Sequence, residues 1–178
     1  DGEIEFGELL EKVSDIGIER IRFVTSHPWD FTDKMIDVIA SRENIMPYIH
    51  LPLQSGSNKI LKLMGRRYTK EEYLELFNKI RNKVKNASIT TDIIVAFPGE
   101  TEEDFNELVE FVKVAKFDRL GAFSYSPEED TPADKLPNHL EEEVKNERRD
   151  ALMLVQQGIS EELNAAKVGN IYEVLIEE

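Results

Sequence analysis

Apolar residues recur along this chain in two alternating rhythms. One returns every three or four residues, as the inner face of a helix does; the other is a short apolar run of the kind a buried parallel strand shows. Ile4, Phe6, Leu9, Leu10, Val13 and Ile16 keep the first rhythm, and Gly17 stands where a C-terminal cap belongs, which predicts a helix over 4–16. Ile18 to Val24 alternates as a strand and runs into Thr25, Ser26, His27 and Pro28. Thr32 can cap a helix that carries Met35, Ile36, Val38 and Ile39 inward to Ser41, and Tyr48–Leu53 reads as a second strand. Ile60, Leu61 and Met64 mark a short helix closed by Gly65. Thr69 with Glu72 three residues on is a capping box for a helix lined by Tyr73, Leu76, Phe77, Ile80 and Val84.

The rhythm then repeats. Ile89–Phe97 is a third strand, Thr101 with Asp104 starts a helix facing inward through Phe105, Leu108, Val109 and Val112, and Arg119–Tyr125 is a fourth strand. A loop rich in proline and acid follows over 127–139. A long helix over 141–166 carries Val144, Leu152, Val155, Ile159 and Leu163 on one side, and Tyr172–Ile176 begins a further element. Strand and helix in alternation make the chain α/β, with right-handed crossovers between parallel strands. The expected architecture is a partial TIM-like (β/α) barrel of about four parallel strands with flanking helices, since a complete barrel takes about eight. The domain reading is 1–140 for this partial barrel, 141–168 for a linking helix and 169–178 for the start of another unit. Such a piece leaves sheet edges open, which predicts self-association.

Composition narrows what the piece can do. With 178 residues, 40% of them hydrophobic, it can bury one core. Its 36 acidic and 22 basic residues give a net charge of -14, which opposes nonspecific adhesion to nucleic acid. It has no cysteine, which excludes disulfides, a thiolate nucleophile and a metal cluster held by its own sulfur. No apolar run approaches the roughly 20 residues of a membrane span, and the first residues, Asp-Gly-Glu-Ile-Glu, lack a signal peptide's basic and apolar regions. Cytoplasmic residence without membrane association is the expectation.

Chemistry concentrates where apolar runs break off, because α/β folds place ligands at the carboxyl ends of their strands. Gln54-Ser55-Gly56-Ser57 offers an amide, two hydroxyls, close backbone approach and the free N–H groups of the next helix; a serine-capped helix start explains it as simply. Asp92 lies inside an apolar strand, and a buried carboxylate needs a partner such as a ribose diol, a threonine or a backbone amide. Phe97–Thr101 is a proline-glycine turn into a helix, able to bend past a ligand. Between Ser55 and Lys70 stand Lys59, Lys62, Arg66, Arg67 and Lys70 with no acid among them. Arg66 and Arg67 suit a carboxylate or phosphate, or form a solvated cationic face. His27 at a strand end can touch substrate or be a hydrogen-bonded edge residue. With His50 and His139 it shows no metal-ligand spacing, so no metal site is expected.

These segments resemble the methylthiotransferases of the radical S-adenosylmethionine (SAM) superfamily. The likeness lies in Arg20–Pro28, His50–Ser57, Ile60–Arg66, Thr69–Tyr73, Asp92–Phe105 and Tyr125–Glu129. It implies an enzyme that cleaves SAM reductively on a [4Fe–4S] cluster and inserts a methylthio group, with a reductant protein as partner. The cluster-binding cysteines of such enzymes follow the first barrel strand, so this chain corresponds to the C-terminal part of the barrel and the clusters to an N-terminal part. By position, Gln54 and Asp92 match residues that hold the ribose of SAM, with Ser55 and Ser57 in the same loop; Arg66 matches an arginine suited to the methionyl carboxylate, and His27 and Arg67 lie toward the substrate. Tyr172–Glu177 resembles the first strand of the TRAM-like β-barrel that follows in the family. Thr25–Pro28, His50–Ser57 and Thr91-Asp92 resemble the enzyme acting on isopentenyladenosine beside the tRNA anticodon. Leu120–Phe123, Tyr125–Glu129 and 136–148 resemble the relative acting on an aspartate of a small-subunit ribosomal protein. The pocket-side segments favour tRNA as the substrate, with the ribosomal protein as the alternative. The chain departs from the family at Ala96 and Asp130, where glycine is usual.

Two readings of other classes compete. A noncatalytic half-barrel could bind nucleosides or partners through Gln54 and Asp92. An aldolase-like barrel would need a lysine or paired carboxylates at the strand ends, and no strand end carries a lysine.

Overall fold

Three parallel strands, β1 (Tyr48–His50), β2 (Ser88–Val95) and β3 (Arg119–Ser124), lie side by side in chain order. The structure, a computed structural model, describes residues 3–24 and 27–176. Helices α1 (Phe6–Ser14), α2 (Asp33–Ser41), α3 (Asn58–Leu63), α4 (Lys70–Lys83), α5 (Glu102–Ala115) and α6 (Glu142–Ala165) make up the rest of the framework. This is the α/β, partial-barrel class expected from the sequence. No described helix is long and apolar enough to cross a membrane.

The helices begin where the capping residues require. Thr32 Oγ1 accepts from the Met35 N–H, and Thr69–Glu72 and Thr101–Asp104 are both complete capping boxes. Each such cap contributes about 1 kcal/mol. Strand residues then divide by period two. Ile49, Ile89, Thr91, Ile93 and Val95 are buried under helices, together with Leu108, Val112, Phe117 and Leu152. Tyr48, His50, Thr90, Asp92, Arg119, Gly121 and Phe123 take the other face, which no described helix covers; Phe123 is 57% exposed there. The strands are thus apolar on one face, whereas the unbroken run of a doubly covered strand was expected.

Three expectations need correction. Ile18–Val24 is not a strand among the described residues. Its pairing is one bridge, in which the Ile21 N–H donates to Asn44 O (2.8 Å) and the Met46 N–H to Ile21 O (2.9 Å). The next bonds of that parallel ladder, between Phe23 and the Met46 carbonyl and Tyr48 N–H, do not form among the described residues. The sheet therefore has three strands rather than four, and the Thr25-Ser26 end of the expected strand lies outside the described residues.

β1 also stops short of Leu53. His50 pairs with Thr90 but Gln54 pairs with Ile93, so four steps on one strand face three on the other, a bulge spanning Pro52. The Leu53 N–H falls to Thr91 Oγ1 (2.9 Å) in place of a carbonyl. Finally, residues 171–176 form no strand: Ile171 and Ile176 are 100% and 89% exposed, and nothing packs them into a TRAM-like sheet. Glu177, the last residue of that expected strand, lies outside the described residues.

Candidate functional site

The bulge puts Gln54 in the left-handed region, at φ +72°. Its N–H donates to Asp92 O (3.0 Å) and its carbonyl accepts from the Ile94 N–H (3.0 Å), so the backbone of Gln54, just beyond β1, lies beside that of Asp92 within β2. Asp92 is not the buried carboxylate expected. Its side chain is 43% exposed on the open face, with Oδ2 at 3.3 Å from His50 Nε2.

The rest of that loop is turned into the protein. Ser55 and Ser57 are buried, and Ser57 does not cap α3; its hydroxyl donates to Asp104 Oδ1 (2.7 Å). Lys59 Nζ donates to Asp104 Oδ2 (2.6 Å) and to Gly99 O (2.9 Å), tying the two loops together. Burial would raise the Asp104 pKa, but hydrogen bonds from Lys59, the Thr101 N–H and Ser57 outweigh it and bring it down to about 2. Gly56, read as room for a ligand, instead gives room to α5: a Cβ there would lie 2.6 Å from Leu108 Cα.

A second cluster stands beside it. Arg66 Nη1 lies 2.6 Å from His27 Nε2, His27 stacks on Trp29 at 3.7 Å, and the Arg67 guanidinium sits 5.4 Å from the Trp29 ring centroid. Burial first, and the Arg66 charge second, hold the His27 pKa below the usual imidazole value, which keeps Nε2 free to accept from Arg66. Tyr68 anchors the cluster to the bulge by donating to Leu53 O (3.0 Å). Among the described residues neither Arg66 nor Arg67 has a carboxylate within ion-pair distance. In the same basic window, Lys59 and Lys70 are paired with Asp104 and Glu107 of α5.

Sequence reasoning missed two groups. His50 shares the open face with Asp92; alternate positions on both strands carried that signal, but the pairing register was needed to read it. Glu100 was read only as part of a turn, yet it is buried. Its Oε1 accepts from the Ala96 N–H (2.9 Å) and from Arg148 Nη1 (2.7 Å), and Arg148 also donates to Glu100 O (3.1 Å). Burial pushes the Glu100 pKa up against the opposing pull of those bonds. Ala96 itself has φ +58° and Asp130 +66°, so both departures from the family's glycines sit in backbone that favours glycine.

Residues 2–112 match the Radical SAM superfamily. The chain is 56% identical over 178 residues to the ribosomal protein uS12 methylthiotransferase RimO of Clostridioides difficile, covering 99% of this chain and 40% of that protein. It is 49% identical over 178 residues to the tRNA-2-methylthio-N(6)-dimethylallyladenosine synthase of Thermoanaerobacter pseudethanolicus (99% and 38%), and 47% identical over 175 residues to that of Alkaliphilus oremlandii (98% and 37%). It spans about two fifths of the length of these curated relatives. With residues 2–112 matching that superfamily's model, and methylthiotransferases of two kinds similar to it along nearly its whole length, this chain belongs to the radical SAM superfamily.

Proposed function

We propose that this chain supplies the SAM-nucleoside side of the barrel in a methylthiotransferase acting on isopentenyladenosine in tRNA. The observation that carries the reading is the backbone pairing of Gln54 with Asp92, whose carboxylate is 43% exposed on a sheet face that no described helix covers. An amide that donates and accepts, next to a carboxylate that accepts, matches a vicinal diol, so these two residues would hold the ribose hydroxyls. When bound and reductively cleaved, SAM supplies the hydrogen abstraction that precedes sulfur insertion. An iron–sulfur cluster does not fit these residues: there is no cysteine, and among the described residues no three His, Asp or Glu side chains converge. Its ligands belong, on this reading, to another part of the whole protein, together with the contact for a reductant protein.

The His27–Trp29–Arg67 surface supports the tRNA substrate. Trp29 is 45% exposed and carries a guanidinium above it, an arrangement on which a base can stack. A second reading, methylthiolation of an aspartate in ribosomal protein uS12, is favoured by the 56% identity to such an enzyme and by a charge of -14, which suits a basic partner better than RNA. Mass spectrometry of tRNA nucleosides and of ribosomal-protein digests, from a strain lacking the complete gene, tests both. Loss of the methylthio group from adenosine, restored by the intact protein but not by its Asp92→Ala variant, is the expected result. Loss from the ribosomal protein alone transfers the assignment to the second reading, and no change in either overturns the enzymatic one.

A further inference from the structure

A row of polar side chains crosses the open face of the sheet. His50 stands in its middle: Nδ1 lies 2.9 Å from Thr90 Oγ1, and Nε2 lies 3.3 Å from Asp92 Oδ2. Thr90 Oγ1 is also 3.4 Å from the Tyr48 hydroxyl, whose ring carries the Arg22 guanidinium 4.3 Å from its centroid. A carboxylate only accepts, so the neutral imidazole must carry its proton on Nε2; Nδ1 then accepts from the Thr90 hydroxyl. One tautomer satisfies both neighbours. The other would aim a lone pair at Asp92.

The opposite oxygen of Asp92 faces a different neighbour. Asp92 pairs with Gly121, and a Cβ at that glycine would lie 3.1 Å from Asp92 Oδ1 and 3.1 Å from the Phe123 ring. Any larger residue would press on Oδ1. Glycine here leaves that oxygen room, while the imidazole holds the other.

We infer that His50 is a positioning residue: it fixes the Asp92 carboxylate through Oδ2 so that Oδ1 is presented to the ribose of SAM. This rests on Asp92 being the ribose ligand, as proposed above, and adds a residue that the ligand itself does not touch. An Asp side chain free on an exposed face must be ordered when the ligand binds. One already held by a charge-assisted hydrogen bond has less freedom to lose.

Calorimetry on the full-length, cluster-loaded protein, with SAM and with its 2′-deoxy and 3′-deoxy analogues, tests the assignment. Asp92→Ala should weaken SAM binding about a hundredfold and His50→Ala about tenfold, losses of about 2.7 and 1.4 kcal/mol. His50→Gln, whose amide can donate to Asp92, should recover most of the loss. At least one deoxy analogue should bind wild type and His50→Ala nearly alike, since the hydroxyl served by the ordered carboxylate is gone. The inference is overturned if His50→Ala binds SAM as wild type does while Asp92→Ala does not, or if both analogues suffer the full tenfold loss. Unchanged binding in Asp92→Ala would remove the ribose reading itself, and this inference with it. A readout in the unaltered protein needs no variant to fold: nitrogen shifts of His50 should report an Nε2-protonated ring, and the Nδ1-protonated tautomer would refute the arrangement.

Discussion

The loops leaving β1 and β2 make the same backbone move and are held in opposite ways. Each turns through a left-handed residue other than glycine, Gln54 at φ +72° and Ala96 at +58°, a conformation costing about 1 kcal/mol for a residue with a Cβ. At Gln54 the bonds with Asp92 and Ile94 fix the backbone. At Ala96 the loop is locked from below: its N–H is taken by Glu100, and Glu100 is gripped by Arg148 of α6. One loop keeps a polar side chain for chemistry while the other is made rigid. A binding site needs both, a group that meets the ligand and a neighbour that does not yield.

The sharpest way to break this contrast is to remove the lock. Arg148→Met leaves Glu100 buried without its cation, a change expected to cost about 3 kcal/mol in urea unfolding. The pH dependence identifies the cause. Glu100 has a folded pKa raised by burial, so folding favours its protonated form. Its contribution is most favourable below the ordinary carboxylate pKa and is lost as pH rises toward the raised value. The deficit of Arg148→Met should therefore shrink on going from about pH 8 to about pH 5. A loss under about 1 kcal/mol, or one independent of pH, would mean the loop is not held by this pair.

The bridge between the two loops should respond with the opposite sign. Asp104, brought down to about 2 by its donors, stabilises the fold above its unfolded pKa and loses that contribution as pH falls from there toward 2. Asp104→Ala removes the acceptor for Ser57, Lys59 and the Thr101 N–H, and should cost about 2 kcal/mol near neutrality. Variant and wild type should converge in acid. Persistence of the full difference below about pH 2 would assign the loss to packing.

What the sequence made legible follows the range of the interaction. Thr32, Thr69 and Thr101 could be read as caps because cap and partner lie three residues apart. The strand–helix alternation was legible because hydrophobic periods are local. Ile18–Val24 looked like a strand for the same local reason, whereas its pairing, a property of two segments, stops at one bridge. The bulge at Pro52 alters the register that sets His50 against Thr90 and Gln54 against Ile93, and no property of either strand alone encodes that offset. Arg148 lies 48 residues from Glu100, and as one arginine on a charged helix it carries no local sign of its burial. Asp92 was legible as an exception in an apolar strand, while its exposure depended on a face left uncovered.

The smallest expected effect separates the two loops most cleanly. Glycine at either left-handed position relieves the clash of a Cβ, against a larger entropy loss on folding, so each variant should gain up to about 1 kcal/mol in stability. Their consequences for binding should diverge. Ala96→Gly removes only a methyl from a loop that Glu100 and Arg148 continue to hold, so SAM affinity should stay within about twofold of wild type. Gln54→Gly removes the amide proposed to meet the ribose, and should weaken SAM about tenfold while the protein becomes no less stable. Stability and affinity moving apart at Gln54, and affinity standing still at Ala96, is what a ligand-facing loop beside a locked one requires. If Ala96→Gly also loses affinity, the second loop must yield to the ligand, and the rigidity attributed to its buried ion pair would have to be abandoned.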